Sequence, residues 1–133
     1  MKPVYKIAIV EDQRLFREGM RLLIEKEGIG EVIAQAGNGK EFLDLLETCH
    51  PDVVLMDISM PVMNGLDATR AAMRNHPDLK ILVLTVSEGP ERCAEMINAG
   101  AVGYLTKTSG KQALIQAIET VATGKHFMPC REA

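Results

Sequence analysis

Asp57 closes an apolar run, Val53-Val54-Leu55-Met56, and opens a Pro/Asn/Gly turn, so that the stretch from Pro51 to Gly65 reads PDVVLMDISMPVMNG. Four consecutive apolar residues without alternation are too few for a globular helix and suit a strand buried on both faces. A carboxylate is costly inside such a core, which puts Asp57 at the rim of a sheet, where a solvent-accessible site can use it. A β-rich run, Tyr5 to Val10 (YKIAIV), ends in Glu11-Asp12, so two strand ends deliver carboxylates. Two further runs close on polar groups: Lys80 to Thr85 (KILVLT) ends in a hydroxyl, and Val102 to Leu105 (VGYL) precedes Thr106-Lys107. Three carboxylates brought together repel one another, and at least one pKa rises unless a cation joins them. Mg²⁺ is the simplest such cation, because it takes hard oxygen ligands and keeps waters and phosphate oxygens beside one or two carboxylates. The Thr85 hydroxyl and the Lys107 ammonium then supply the hydrogen-bond donor and the positive charge that phosphoryl transfer needs. Singly, each residue has an ordinary explanation: Asp12 as a helix cap, Asp57 as an Asx-turn residue, Thr85 as a β-branched strand end, Lys107 as a surface charge. Their coincidence at strand ends selects the chemical reading.

Those strand ends need a scaffold that carries them to one rim. From Gln13 to about Glu27, Leu15, Phe16, Met20, Leu23 and Ile24 recur at helical spacing, and Gly28-Ile29-Gly30 stops the helix. Glu31 to Ala36 (EVIAQA) reads as a second strand, followed by a helix carrying Phe42, Leu45 and Leu46 that ends at His50-Pro51. After the Asp57 loop come helices over about Leu66 to Asn75, Pro90 to Ala99 and Gln112 to Thr123. The helix from Pro90 is thinly apolar, mainly Cys93, Met96 and Ile97, and is expected to be the least anchored. Strands alternating with helices predict an α/β fold: a five-stranded parallel sheet, doubly wound, with right-handed crossovers. In such a sheet, sites form beyond the carboxyl ends of the strands where the strand order reverses.

The chain has 133 residues, enough for one domain with a substantial core and no need of disulfides or a structural metal. A net charge of −3 withholds the basic footprint of a nucleic-acid or anionic-membrane binder, so direct DNA binding by this chain alone is not expected. Cys49, Cys93 and Cys130 are odd in number and widely spaced, with no signal-peptide pattern and no bilayer-length apolar run, which points to a cytoplasmic, reducing setting. Cys130 and His126 lack a second Cys/His pair with which to form a metal clip.

The acid pair Glu11-Asp12, the LMDISMPVMNG segment, the Leu84-Thr85 ending and GYLTK up to Lys107 resemble, in order and spacing, the receiver domain of bacterial two-component response regulators. EDQRLFREGMRLLI, GYLTKTS and the tail GKHFMP are further similar to the NarL/LuxR-type subfamily. The resemblance implies a flavodoxin-like (βα)5 fold with strand order 2-1-3-4-5, a receiver domain over residues 4–124, and a linker start or exposed tail over 125–133. It makes Asp57 the phospho-acceptor for a sensor histidine kinase and Asp12 a direct Mg²⁺ ligand. Glu11 would act mainly through water, and the Ser59 backbone carbonyl would be a further ligand. Lys107 would pair with the phosphoryl group, Thr85 would hydrogen-bond it, and Tyr104 would be the aromatic switch; as a residue alone, Tyr104 is equally a half-buried strand aromatic. The output would be a shift of the face built from the fourth helix, fifth strand and fifth helix, controlling a helix-turn-helix domain not contained in this chain, with phosphorylation-linked dimerisation as a family expectation. Such a domain is a signalling switch that assists its own phosphorylation and dephosphorylation rather than an enzyme of turnover.

One departure stands out. Many receivers carry proline after the lysine, often with a cis peptide; here Thr108 follows Lys107, and the isomer is left open. Ser59 and Ser87 occupy the positions that tune acyl-phosphate lifetime in the family. A dehalogenase-type phosphatase would need an acid two residues after Asp57, where Ser59 stands. A dinucleotide-binding module would need glycines where Glu11-Asp12-Gln13-Arg14 follows the first strand. A degenerate receiver used only for docking is disfavoured because every acceptor-site group is present.

Overall fold

In the computed structural model, residues 4–86 and 90–128 are described; Ser87, Cys130 and the tail from residue 129 lie outside them. The elements follow the expected alternation: β1 (Tyr5–Val10), α1 (Arg14–Lys26), β2 (Gly30–Ala36), α2 (Gly39–Leu45), β3 (Val53–Asp57), α3 (Gly65–Asn75), β4 (Ile81–Thr85), α4 (Pro90–Ala99), β5 (Gly103–Thr106) and α5 (Lys111–Ala122). The strands pair in parallel in the order β2-β1-β3-β4-β5, the flavodoxin-like arrangement. The strand order reverses beside β1, so the chain leaves β1 and β3 in opposite directions and a crevice opens between their carboxyl ends.

Side-chain alternation divides the core in two. Ala8, Val10, Val54, Met56, Ile81 and Val83 face one side, with Phe42 from α2, Ala68 and Ala72 from α3, and Cys93 and Met96 from α4. Ile7, Ile9, Val53, Leu55, Leu82 and Leu84 face the other, with Met20 and Ile24 from α1 and Leu114, Ala117, Ile118 and Val121 from α5. A strand covered on both faces has no polar side to offer, which is why its apolar runs do not alternate. The α1 stripe is narrower than its periodicity suggests. Phe16, Met20, Leu23 and Ile24 join the core, but Leu15 is 85% exposed, because it falls away from the arc that meets the sheet.

Local signals place the helix starts. The Asn38 side chain accepts the Glu41 N–H at 2.9 Å while Glu41 Oε1 accepts the Gly37 N–H at 2.7 Å, a reciprocal cap for α2. Asn64 caps α3 by accepting the Asp67 N–H at 2.8 Å. Between Asp57 and α3, Val62 has φ +68° and the Met63 N–H donates to the Pro61 carbonyl at 2.7 Å, a tight three-residue turn that is strained for a β-branched residue.

The segment after α5 begins packed. The Tyr104 N–H donates to the Phe127 carbonyl, and the Phe127 N–H to the Val102 carbonyl, both at 2.8 Å. Phe127 packs on the α1/α5 side of the sheet and Met128 is buried on the other, so this short parallel bridge covers the edge of β5.

Two glycines make opposite demands on a side chain. A Cβ at Gly65 would collide with the Asp57 carbonyl, whereas one at Gly19, inside α1, would meet nothing within 4 Å. Gly19→Ala is expected to stabilise the chain by about 0.5–1 kcal/mol through helix propensity. Gly65→Ala is expected to cost roughly 1–3 kcal/mol through overpacking and displacement of Asp57. Urea unfolding of both variants checks the pair.

Candidate functional site

β1, β3, β4 and β5 end together, and each brings one part of the site. Glu11 follows β1 and its backbone N–H still pairs with the Ala36 carbonyl at 2.9 Å, so its side chain leaves the sheet from a fixed point. Asp57 is the last residue of β3, in register with Leu84, which puts Thr85 one step further along the neighbouring strand. Thr85 is buried and pairs in register with Thr106, and its carbonyl accepts the Lys107 N–H at 2.7 Å. The Lys107 side chain is thereby launched from the end of β5 back across the rim.

One ammonium holds the two buried acids. Lys107 Nζ lies 2.6 Å from Glu11 Oε1 and 3.3 Å from Asp57 Oδ1. Glu11 has no exposed surface and Asp57 only 5%. The second Glu11 oxygen accepts the Gln13 N–H at 2.9 Å, and the Ser59 N–H donates to the Asp57 carboxylate. Asp12 is exposed, on the solvent side of the cluster. Glu11, Asp12 and Asp57 offer oxygens that all lie within 4.8 Å of one another.

Burial is the main influence on both inner acids and pushes each above the ordinary carboxylate range; Lys107 opposes this, and the neighbouring carboxylate adds to it. For Lys107 burial acts downward, but the hydrogen bond it donates to Glu11 and the charges of Asp57 and Glu11 outweigh it, so its net shift is upward. The directions agree: the cluster carries more negative charge than one ammonium neutralises, and it holds protons tightly. This is the condition a divalent cation relieves, and the donors are hard oxygens open to solvent through Asp12, so the residues present fit Mg²⁺.

The site residues expected from sequence fall into place unevenly. Glu11, Asp12, Asp57 and Lys107 converge, and Thr85 lies on the adjoining strand end. Ser59 is exposed in the loop after Asp57 and lines a cleft of about 510 Å³ with Asp12, Asn64, Arg92 and Glu95. Tyr104 is only 3% exposed, packed into the α2–α4 core rather than half-buried. The Lys107–Thr108 peptide is trans, as the cost of a cis bond before a residue other than proline favours. Arg17 was not anticipated: its guanidinium donates to the Glu11 carbonyl at 2.6 Å and to Gln35 Oε1 at 3.2 Å, bracing the β1 terminus. Its place one helical turn after Gln13 was the available signal, but an arginine on an amphipathic helix reads first as solvated surface.

Among the described residues, no helix is long and apolar enough to cross a membrane. The family described as "Response regulator receiver domain" matches residues 7–119. The transcriptional regulatory protein DegU of Brevibacillus brevis is 40% identical over 123 residues, covering 92% of this chain and 52% of the relative. The nitrate/nitrite response regulator protein NarP of Escherichia coli (strain K12) is 39% identical over 120 residues, covering 90% and 56%. The chain thus spans about half the length of the curated relatives it matches. Among solved structures, a LuxR-family two-component response regulator from Aurantimonas sp. SI85-9A1 superposes with a TM-score of 0.91 at 34% identity, covering 96% of this chain and 91% of that one. The signal receiver domain of NarL from Mycobacterium tuberculosis gives a TM-score of 0.87 at 27% identity, covering 93% and 100%. A receiver match over most of the length, with relatives of this kind in both sequence and fold, makes the chain a member of the response-regulator receiver family of two-component systems, on its NarL/LuxR side.

Proposed function

We propose that Asp57 accepts a phosphoryl group from a phosphohistidine of a sensor kinase and that the acyl phosphate so formed switches the α4-β5-α5 face. The observation that carries this reading is the Lys107 ammonium held between Glu11 and Asp57 at the open rim, 2.6 and 3.3 Å away. A carboxylate oxygen of Asp57 attacks phosphorus, the phosphorus–nitrogen bond of the donor breaks, and the leaving imidazole takes up a proton. Lys107 faces the charge on the phosphoryl oxygens, and the Thr85 hydroxyl donates to one of them. The Ser59 N–H holds the Asp57 carboxylate in line. Asp12 and Asp57 would bind Mg²⁺ directly with the Ser59 carbonyl, Glu11 mainly through water; a bound Mg²⁺ neutralises the phosphoryl oxygens and the acids. That Glu11 already spends one oxygen on Lys107 supports its less direct role.

Thr85 and Tyr104 form the proposed switch. Tyr104 lies on β5 beside β4 and is buried, which supports an inward-turned ring as its part in that switch. Residues 4–124 are the proposed receiver unit and 125–133 lead toward an output domain. A helix-turn-helix transcription regulator is the proposed output because the matched relatives are about twice as long as the receiver match and are named as regulators. The setting proposed for such a switch is the cytoplasm, where a kinase can reach it.

Incubation with acetyl phosphate and Mg²⁺ is expected to add one phosphoryl group by intact mass, and none in Asp57→Asn or in EDTA. Absence of an adduct in the parent, with no beryllofluoride binding, overturns the proposal. Thermal unfolding checks the metal: at Mg²⁺ about 100-fold above its dissociation constant the parent is expected to gain about 2.7 kcal/mol, and Asp12→Asn much less.

The site also sets a pH dependence in metal-free buffer. Acids whose folded pKa lies above the unfolded value favour the native state at low pH, and that contribution is lost as pH climbs through the folded pKa. Asp57→Asn is therefore expected to flatten the decline above the ordinary carboxylate range and to be more stable than the parent at neutral pH. Lys107 has the same sign in a higher pH window: its contribution is present below its unfolded pKa and lost only as pH rises through the raised folded one. Lys107→Met is expected to cost about 3 kcal/mol at neutral pH, the low end for a broken buried pair because the acids can protonate. Urea unfolding across pH distinguishes the two variants.

A further inference from the structure

We propose that Phe16 is a positioning residue for Lys107, holding its ammonium at the acid cluster through the face of the ring. The inference rests on the phosphoryl-transfer reading above. Lys107 Nζ stands 4.7 Å over the centroid of the Phe16 ring. The Lys107 side chain is only 10% exposed, and among the described residues it is paired with the carboxylates of Glu11 and Asp57. The ring therefore occupies a side of the ammonium that water or a further acid would otherwise take. Phe16 is itself fixed, half-buried at the start of α1 against the core shared with α5, and it lines the groove of about 640 Å³ formed with Leu105 and Leu114.

The chemistry explains why a ring and not an anion suits this place. In the structure Lys107 is held most closely by Glu11. To meet a phosphoryl group on Asp57 it must exchange an oxygen partner while staying at the rim. A third carboxylate would compete for the ammonium and deepen the surplus of negative charge. A saturated side chain would fill the space without attracting the charge. The quadrupole of an aromatic ring attracts a cation over a broad range of positions, so the ammonium can turn from one oxygen to another with that contact kept. In sequence Phe16 reads only as one member of an apolar helical stripe; what separates it from Met20 and Ile24 is the arrival of Lys107 from a strand end 91 positions away in the chain (107 less 16).

The test compares Phe16→Leu and Phe16→Tyr in the full chain. The first readout is the rate of adduct formation with acetyl phosphate at saturating Mg²⁺, taken at a temperature where urea unfolding shows each variant fully folded. The second is the NMR shift of the Lys107 ε-methylene protons without phosphodonor, which the ring displaces upfield. Phe16→Leu is expected to load roughly three- to tenfold more slowly and to lose the displacement, while Phe16→Tyr keeps both close to the parent. Loading of Phe16→Leu at the parent rate overturns the proposal, as does a folded Phe16→Tyr that slows as much as the leucine variant, because packing alone would then explain the residue. Should Phe16→Leu fail to fold, Phe16→Met takes its place with the same expectations. Failure of the parent itself to load overturns the phosphoryl-transfer reading, whereas the Lys107 shift is read independently of it and reports on the ring contact alone.

Discussion

The ion pair network of one ammonium and two buried carboxylates is the constraint around which the rim is arranged. Burying Glu11 and Asp57 costs desolvation, and Lys107 returns enough attraction to keep the arrangement folded without satisfying it. A fully neutralised cluster would have little affinity for a divalent cation, so the imbalance is what makes the three acids fit one. The same imbalance explains why the third acid, Asp12, stays on the exposed side: a further buried carboxylate would exceed what one lysine can hold.

That network needs a scaffold whose strand ends do not move. Parallel pairing gives one, because β1, β3, β4 and β5 all terminate at the same edge and their residues are locked in register, Asp57 to Leu84 and Thr85 to Thr106. Helices on both faces keep the interior of β3 and β4 apolar, so their polar groups come at the carboxyl ends, Asp57 and Thr85. Bracing beyond the strands is local: Arg17 fixes the carbonyl of Glu11, and Gly65 lets α3 begin against the backbone of Asp57.

The opposite edge of the sheet shows a second use of the same backbone. β5 would expose its donors and acceptors, and the chain after α5 returns to cover them, with Phe127 and Met128 packed on opposite faces. Tyr104 is thus joined through its backbone N–H to the segment that continues toward the C-terminus and through its ring to the α2–α4 core.

The elements, their order and the acids at the strand ends were legible because each rests on local chemistry: unbroken apolar runs, helical spacing, glycine and proline breaks, and polar residues at the close of each run. Strand order 2-1-3-4-5 came from resemblance, since hydrophobic patterning does not say which buried strands are neighbours. Leu15 was read as core and is exposed, because periodicity defines an arc without fixing its width. Tyr104 could be read two ways from a strand pattern and became a buried residue only when the core between the sheet and α2–α4 enclosed it. The Lys107 contact of Phe16, the bracing by Arg17 and the edge pairing of Phe127 were not legible in the sequence for one reason. Their partners are Lys107, the Glu11 carbonyl and the β5 backbone, and side-chain type or spacing along the chain carries no record of a meeting that only the folded sheet brings about. Sequence alone determined which groups stand ready at the rim; the tertiary structure decided which of them touch, because burial and register act between strands rather than along them.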